Sequence, residues 1–200
     1  MTIDEIMRSA PVIPVLVLDE EMDWAALAET FVSSGLPVLE VTLRTPQALE
    51  AIRTMSRVPG TIVGAGTVLN DRQLGEAIDA GSRFIVSPGL TDPLGKSVAH
   101  SGVAYLPGVA TAGDIMRGLD LGLNRFKFFP AEALGGIPAL KALAGPFGDI
   151  RFCPTGGIRP ETAREWLALD PVLCVGGTWF VKPGDGLSTI GERARAAAVA

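Results

Sequence analysis

The chain has 200 residues, of which 48% are hydrophobic and 20% charged, so it is long enough to bury a core without a disulfide or a metal. Its 17 basic and 22 acidic residues give a net charge of −5, and no basic run is present, which argues against nucleic-acid and anionic-membrane partners. The apolar runs are shorter than the roughly 20 residues that span a bilayer, and residues 1–5 lack the basic region that begins a signal peptide.

Apolar, β-branched segments alternate with amphipathic segments from residue 12 onward. The predicted strands are 12–18, 38–43, 61–66, 84–87, 104–107, 126–129, 151–154 and 173–176. The predicted helices are a leading 2–10, with Asp4, Glu5 and Arg8 facing water, then 24–34, 46–56, 71–80, 93–100, 111–121, 137–144, 160–168 and 187–198. Eight strand-then-helix units predict an α/β fold, a single (β/α)8 TIM barrel with a short N-terminal helix, over one domain of residues 1–200.

The competing architecture is an open, doubly wound sheet, which needs a glycine-rich turn after its first strand. That turn is Asp19-Glu20-Glu21, which would repel a pyrophosphate. Glycine pairs follow the seventh and eighth strands instead, which favours the barrel.

The histidine and cysteine contents argue against further kinds of site. His100 is the only histidine in the sequence, which argues against a His-rich metal site and a Ser-His-Asp triad. Cys153 and Cys174 lie far apart in apolar segments, and we interpret both as buried thiols in a reducing cytoplasm.

Two ionisable side chains point into the predicted barrel, because successive side chains of a strand face opposite sides. If Leu39 and Val41 pack outward against helices, Glu40 faces inward and Arg44 has the same parity at the C-terminal rim. On the sixth strand, Lys127 projects inward between two outward phenylalanines. A buried charge is costly, so Glu40 and Lys127 should lie near each other or serve chemistry.

Lys127 is the candidate for a Schiff-base lysine. The other three lysines, Lys96, Lys141 and Lys182, lie on predicted helices or after the last strand, as surface charges do. Desolvation among phenylalanines favours the neutral, nucleophilic amine, and Glu40 is the candidate to shuttle protons. The alternative is a buried Lys–Glu pair that only fixes packing.

Two anion sites are predicted at the barrel mouth. Thr155-Gly156-Gly157 and Gly176-Gly177-Thr178 follow the seventh and eighth strands, whose loops commonly bind phosphate in (β/α)8 enzymes. Arg44 offers a bidentate fork for a carboxylate, with a hydroxyl from Thr67. The alternatives are glycine turns that need positive φ, and an ordinary surface arginine.

Five segments together resemble the 2-keto-3-deoxy-6-phosphogluconate (KDPG) and 4-hydroxy-2-ketoglutarate (KHG) aldolases, over about residues 12–181. They are Leu39-Glu40-Val41-Thr42-Leu43-Arg44-Thr45, Gly64-Ala65-Gly66-Thr67-Val68-Leu69, Ser87-Pro88-Gly89, Phe126-Lys127-Phe128-Phe129-Pro130-Ala131-Glu132 and Arg151-Phe152-Cys153-Pro154-Thr155-Gly156-Gly157-Ile158. The resemblance implies a cytoplasmic class I lyase of the Entner–Doudoroff pathway, homotrimeric and without metal or cofactor. It would release pyruvate from KDPG, with glyceraldehyde 3-phosphate, and from KHG, with glyoxylate.

The resemblance also implies roles for residues of this chain. Lys127 would form the imine and Glu40 would act as acid and base. Arg44, Thr67 and Pro88 would form the pyruvyl pocket. The phosphate pocket would consist of Thr155, Gly156, Gly157, Gly177 and Thr178.

The chain departs from the family pattern at a few positions. Thr178 stands where relatives often have serine, and the segment after Lys182 is short and alanine-rich, which bears on subunit contacts. Three other functions stay open: an aldolase for the galactonate-derived epimer, a phosphosugar isomerase or epimerase with Glu40 as base, and a non-catalytic phosphometabolite-binding barrel.

Overall fold

The computed structural model describes residues 1–18 and 22–200, so the acidic turn Asp19-Glu20-Glu21 lies outside the described residues. Strands β1–β8, in chain order, are Val12–Leu16, Val38–Thr42, Ile62–Gly66, Phe84–Ser87, Ala104–Val109, Arg125–Phe128, Arg151–Pro154 and Val175–Gly177. Helices α1–α9 are Ile3–Arg8, Trp24–Ser33, Ala48–Met55, Asp71–Asp79, Asp92–Ser101, Ala112–Asp120, Gly136–Ala144, Pro160–Leu167 and Leu187–Ala198. Within the described ranges, no helix is both long and apolar enough to cross a membrane.

The strands form one parallel sheet in the order β7-β6-β5-β4-β3-β2-β1-β8. The first strand pairs on one side with β2, Val15 opposite Glu40, and on the other with β8, Val12 opposite Val175. Isolated parallel bridges from Phe152 to Val172 and from Thr155 to Gly176 bring β7 against the β8 segment. The predicted (β/α)8 barrel with a short N-terminal helix is confirmed.

Two apolar layers follow from the alternation of side chains along each strand. Outward side chains such as Leu39 and Phe126 pack against the helices in one large cluster. Inward side chains such as Val38 and Phe84 fill the barrel, and Ile6 of α1 joins them. Because this apolar filling occupies the N-terminal half of the barrel, inward polar groups are left near the C-terminal ends of the strands.

Helix α1 is attached to the barrel by an ion pair as well as by apolar contacts. It covers Ile3–Arg8 rather than 2–10, and Thr2 begins it with a capping box. The Nε atom of Arg125 on β6 donates to Asp4 Oδ1 at 2.5 Å. The sequence predicts that Asp4 faces water, but the structure holds it half-buried, because Arg125 reaches it from the strand.

Candidate active site

The side chains of Lys127 and Glu40 meet inside the barrel. Lys127 Nζ donates to Glu40 Oε1 at 3.0 Å and to Oε2 at 3.2 Å. The two side chains are only 8% and 5% exposed, and Nζ lies 5.5 Å from the centre of the Phe129 ring. The predicted proximity of the amine and the carboxylate is therefore confirmed.

Strand alternation and a missing side chain together determine where Glu40 lies. Leu39 and Val41 are fully buried in the outer layer, which turns Glu40 inward. Its carboxylate lies over Gly66 of β3, where a Cβ would fall 2.7 Å from Cγ and 2.8 Å from Cδ. The small residues Gly64-Ala65-Gly66 indicate close packing at the barrel mouth, but a role of Gly66 in positioning Glu40 could not be predicted from them.

The pair suits covalent chemistry better than it suits stability. Two buried charges gain little over an apolar pair of equal volume, because desolvation offsets most of their attraction. An amine and a carboxylate about 3 Å apart can exchange a proton directly, which is what a lysine needs in order to attack a carbonyl. The arrangement can therefore support imine formation followed by proton transfer.

Arg44 and Thr67 lie together at the C-terminal rim. Arg44 Nε donates to Thr67 Oγ1 at 3.3 Å, and the Arg44 side chain is exposed to the barrel mouth. Thr67 has a φ of 60°, in the left-handed region that a β-branched residue seldom adopts. Such a conformation costs about 1–3 kcal/mol and tends to occur at functional sites. The hydroxyl of the neighbouring Thr42 is occupied, because it donates to Leu16 O at 3.0 Å.

Pro88 follows β4 in a turn that a buried hydroxyl pair holds. Ser87 Oγ bonds Gly89 O and the Tyr105 hydroxyl, each at 2.7 Å. Burial raises the pKa of Tyr105 to about 12, so this phenol stays neutral. A Cβ on Gly108 would contact the Pro88 carbonyl, so only glycine fits there. Pro88 itself is half-buried and lines a rim cavity of about 330 Å³.

The loop after β7 presents glycine backbone beside a buried threonine. Gly156 and Gly157 have φ values of 105° and 82°, which glycine adopts without a steric penalty. Thr155 is buried, and its side chain fills the space that a Cβ on Gly176 would need. The bridge between Thr155 and Gly176 joins this loop to the β8 segment.

Gly177 ends β8, and Thr178 follows it directly. Gly177 is buried, and a Cβ there would lie 2.5 Å from Cζ3 of Trp179. Thr178 is exposed, so its hydroxyl is accessible from solvent. The bridge from Thr155 to Gly176 thus brings the two predicted phosphate loops together, with the exposed Thr178 beside them.

Cys153 and Cys174 are both free and buried, as the sequence predicts. Hydrogen bonding with Cys153, together with burial, raises the pKa of the Cys174 thiol. Both belong to the inner apolar layer of the barrel, which sequence separation alone did not indicate.

The chain is similar in sequence to one family of known proteins. The KDPG and KHG aldolase family model matches residues 3–189. The 2-dehydro-3-deoxy-phosphogluconate aldolase of Zymomonas mobilis is 59% identical over 182 residues, 91% of this chain and 88% of that protein. The KHG/KDPG aldolase of Escherichia coli K12 is 51% identical over 185 residues, 92% of this chain and 86% of that protein.

A solved structure gives the same match in three dimensions. The KDPG aldolase of Legionella pneumophila is 43% identical and superposes with a TM-score of 0.94, covering 99% of this chain and 98% of that one. That protein carries pyruvate captured at low pH as a covalent carbinolamine intermediate.

Proposed function

The chain belongs to the KDPG and KHG aldolase family, and from this premise we propose that it cleaves KDPG to pyruvate and glyceraldehyde 3-phosphate. It is a carbon–carbon lyase that works through a Schiff base. The observation that carries the proposal is the Lys127 amine, buried in the barrel within 3.0 Å of the Glu40 carboxylate. KHG, which yields pyruvate and glyoxylate, is the second substrate we propose.

Lys127 forms the covalent bond in this proposal. Its Nζ loses a proton to Glu40 and attacks the C2 ketone of the substrate, giving a carbinolamine. Glu40 returns that proton to the departing hydroxyl, water leaves, and an iminium remains on Lys127. The iminium draws electrons from the C3–C4 bond, so the charge that develops on cleavage is delocalised.

Glu40 then carries the remaining proton transfers. Its carboxylate takes the proton of the C4 hydroxyl as the C3–C4 bond breaks, and the aldehyde product leaves. The same proton returns to C3 of the enamine, and hydrolysis of the iminium frees pyruvate and restores the amine. One carboxylate beside Nζ suffices for these steps, because each transfer reverses the one before.

Substrate orientation is assigned to the two ends of the site. Among the described residues, the Arg44 side chain bonds only Thr67, through its Nε, so its terminal guanidinium nitrogens can pair with the substrate carboxylate beside Pro88. At the other end, Thr155, Gly156, Gly157, Gly177 and Thr178 are assigned to the phosphate. The Thr155 N–H already bonds Phe128 O, so the donors are the glycine N–H groups and the threonine hydroxyls.

The decisive experiment traps the imine. Incubation with pyruvate and borohydride should reduce it to a stable secondary amine, and peptide mass analysis should find the label on Lys127. A lactate-dehydrogenase-coupled assay should detect pyruvate from KDPG and from KHG in the presence of EDTA. A label on another lysine, or none, would contradict the proposed role of Lys127. An isomerase would show no trapping, and a binding protein would release no pyruvate.

Specificity for the gluconate-derived epimer is part of the proposal, supported by the high identity to KDPG aldolases. A homotrimer is proposed as well, from the family resemblance, and light scattering coupled to gel filtration would measure it. The two free, buried thiols support the proposal of a reducing, cytoplasmic location.

A further inference from the structure

A cleft of about 540 Å³ lies between α8 and α9 on the outside of the barrel. Its volume is in the range of small-molecule sites. Trp179 and alanine side chains supply an apolar surface, and four cationic side chains line it: Arg159, Arg164, Lys182 and Arg193. The cleft shares no lining residue with the Lys127–Glu40 pair or with the proposed phosphate loops, so it is a separate cavity.

Two of the four cations are held in place by backbone and side-chain contacts. Arg193 donates to Phe180 O at 2.9 Å and, through its other terminal nitrogen, to Asp185 at 3.1 Å. Arg164 donates to Val199 O at 3.2 Å. A guanidinium has five N–H donors, so each retains donors for another partner. These two side chains are therefore oriented before anything binds.

The other two cations form no close ion pair with a described residue. Within residues 1–18 and 22–200, neither Arg159 nor Lys182 takes part in an ion pair. Among the described residues that line the cleft, Glu161 alone has a carboxylate side chain. Clustered like charges repel, and an anion in the cleft would remove that cost.

We propose that the cleft between α8 and α9 binds a small phosphorylated organic anion. Arginine forks and a lysine suit phosphate oxygens, and the N-terminus of α8, which Arg159 precedes, adds a favourable dipole. The ring of Trp179 and the alanines of α8 and α9 suit the organic part of the ligand.

Trp179 connects this cleft with the mouth of the barrel. Its ring lies in the cleft and also against Gly177, where a Cβ would fall 2.5 Å from Cζ3. An occupant that moves the ring therefore acts on a loop to which we assign phosphate binding. This consequence rests on the proposed function, whereas binding to the cleft does not.

Isothermal titration with inorganic pyrophosphate tests the binding. The wild-type chain is compared with Arg159→Gln/Lys182→Gln, which removes two cations that form no ion pair with a described residue. Lys96→Gln/Lys141→Gln is the control, since it removes the same charge from exposed positions outside the cleft. We expect the cleft variant to lose one pyrophosphate per chain, or to bind it at least about tenfold more weakly, while the control matches wild type.

The outcome separates this proposal from the proposed function. If the proposed phosphate loops at the barrel mouth bind no pyrophosphate, wild type should bind one pyrophosphate per chain and the cleft variant none. That result would still support anion binding in the cleft. Equal binding by wild type and the cleft variant would overturn it, as would an equal loss in the control. Tighter binding of citrate than of pyrophosphate, lost in the cleft variant, would overturn the assignment of a phosphate. The kcat for KDPG should be unchanged in the cleft variant without pyrophosphate.

Discussion

The carboxylate of Glu40 lies across the α-carbon of Gly66, one strand away. A Cβ at position 66 would fall 2.7 Å from Cγ and 2.8 Å from Cδ of Glu40, closer than side-chain atoms approach each other. Gly66 thus leaves the space through which Glu40 reaches Lys127 Nζ at 3.0 Å. The position of Glu40, the proposed proton shuttle, therefore depends on the absence of a side chain at Gly66.

Gly66→Ala should therefore displace Glu40 and lower kcat for KDPG by about 10²-fold, because a shift near 1 Å at a reacting group costs that much. Borohydride trapping of pyruvate on Lys127 should persist, since the amine itself is not displaced. Gly75→Ala is the control, because a Cβ there meets nothing within 4 Å. Unchanged kcat in Gly66→Ala would contradict the role of Gly66 in positioning Glu40.

Removing the amine should separate stability from activity. Lys127→Met leaves Glu40 buried without its partner, so the free energy of unfolding should fall by about 3–5 kcal/mol. Adding Glu40→Gln removes the unpaired charge and should recover much of that loss. Urea unfolding measures the stability of each variant, and pyruvate release measures activity, which should be abolished in both. A double variant no more stable than Lys127→Met would show that the buried pair is not energetically coupled.

Glu40→Gln alone should behave differently from Lys127→Met. The amine remains, so imine trapping with pyruvate and borohydride should still label Lys127, although more slowly. Turnover of KDPG should fall by about 10²–10⁴-fold, the usual contribution of a general acid–base group. Wild-type turnover in Glu40→Gln would show that another group moves the protons.

The polarity pattern of the strands was enough to predict the barrel and the central pair. Glu40 and Lys127 are charged residues at inward positions of apolar strands, and period-two alternation needs no knowledge of neighbouring strands. Pro88 could not be found in this way, because its part was implied only by the family resemblance. The sequence gives no periodic signal for a turn that Ser87 and Tyr105 anchor through their hydroxyls.

Contacts between segments that are distant in sequence could not be predicted from the pattern of apolar and polar residues. Gly66 leaves room for the Glu40 side chain, and Gly108 leaves room for the Pro88 carbonyl. Both requirements arise only when the neighbouring strands pair. Asp4 was expected to face water because α1 is amphipathic, yet Arg125 lies 121 positions away and bonds it. Such contacts follow from the tertiary structure and not from local periodicity.

The Asp4 ion pairs should make stability depend on acid pH. Hydrogen bonds from Arg8 and Arg125 hold the pKa of the Asp4 carboxyl below its usual value of 3.8. A lowered pKa contributes stability above the unfolded value, and that contribution is lost as pH falls through the folded value. Asp4→Asn should therefore reduce the free energy of unfolding at pH 6 and flatten its decline below about pH 4. Urea unfolding from pH 6 to pH 3 checks this. Asp79→Asn, on the exposed face of α4, is the control and should keep the wild-type decline.

Thr178 should discriminate between the two substrates, because only KDPG carries a phosphate. Thr178→Ala removes an exposed hydroxyl beside Gly177, and a hydrogen bond to a charged group contributes about 1.5–3 kcal/mol. The kcat/KM for KDPG should fall by about tenfold or more, mainly through KM, since phosphate binding lies away from the reacting carbons. The kcat/KM for KHG should stay at the wild-type value, and Thr178→Ser should restore cleavage of KDPG by supplying the hydroxyl again. An equal loss on both substrates would mean that Thr178 supports the barrel mouth in general and does not bind the phosphate.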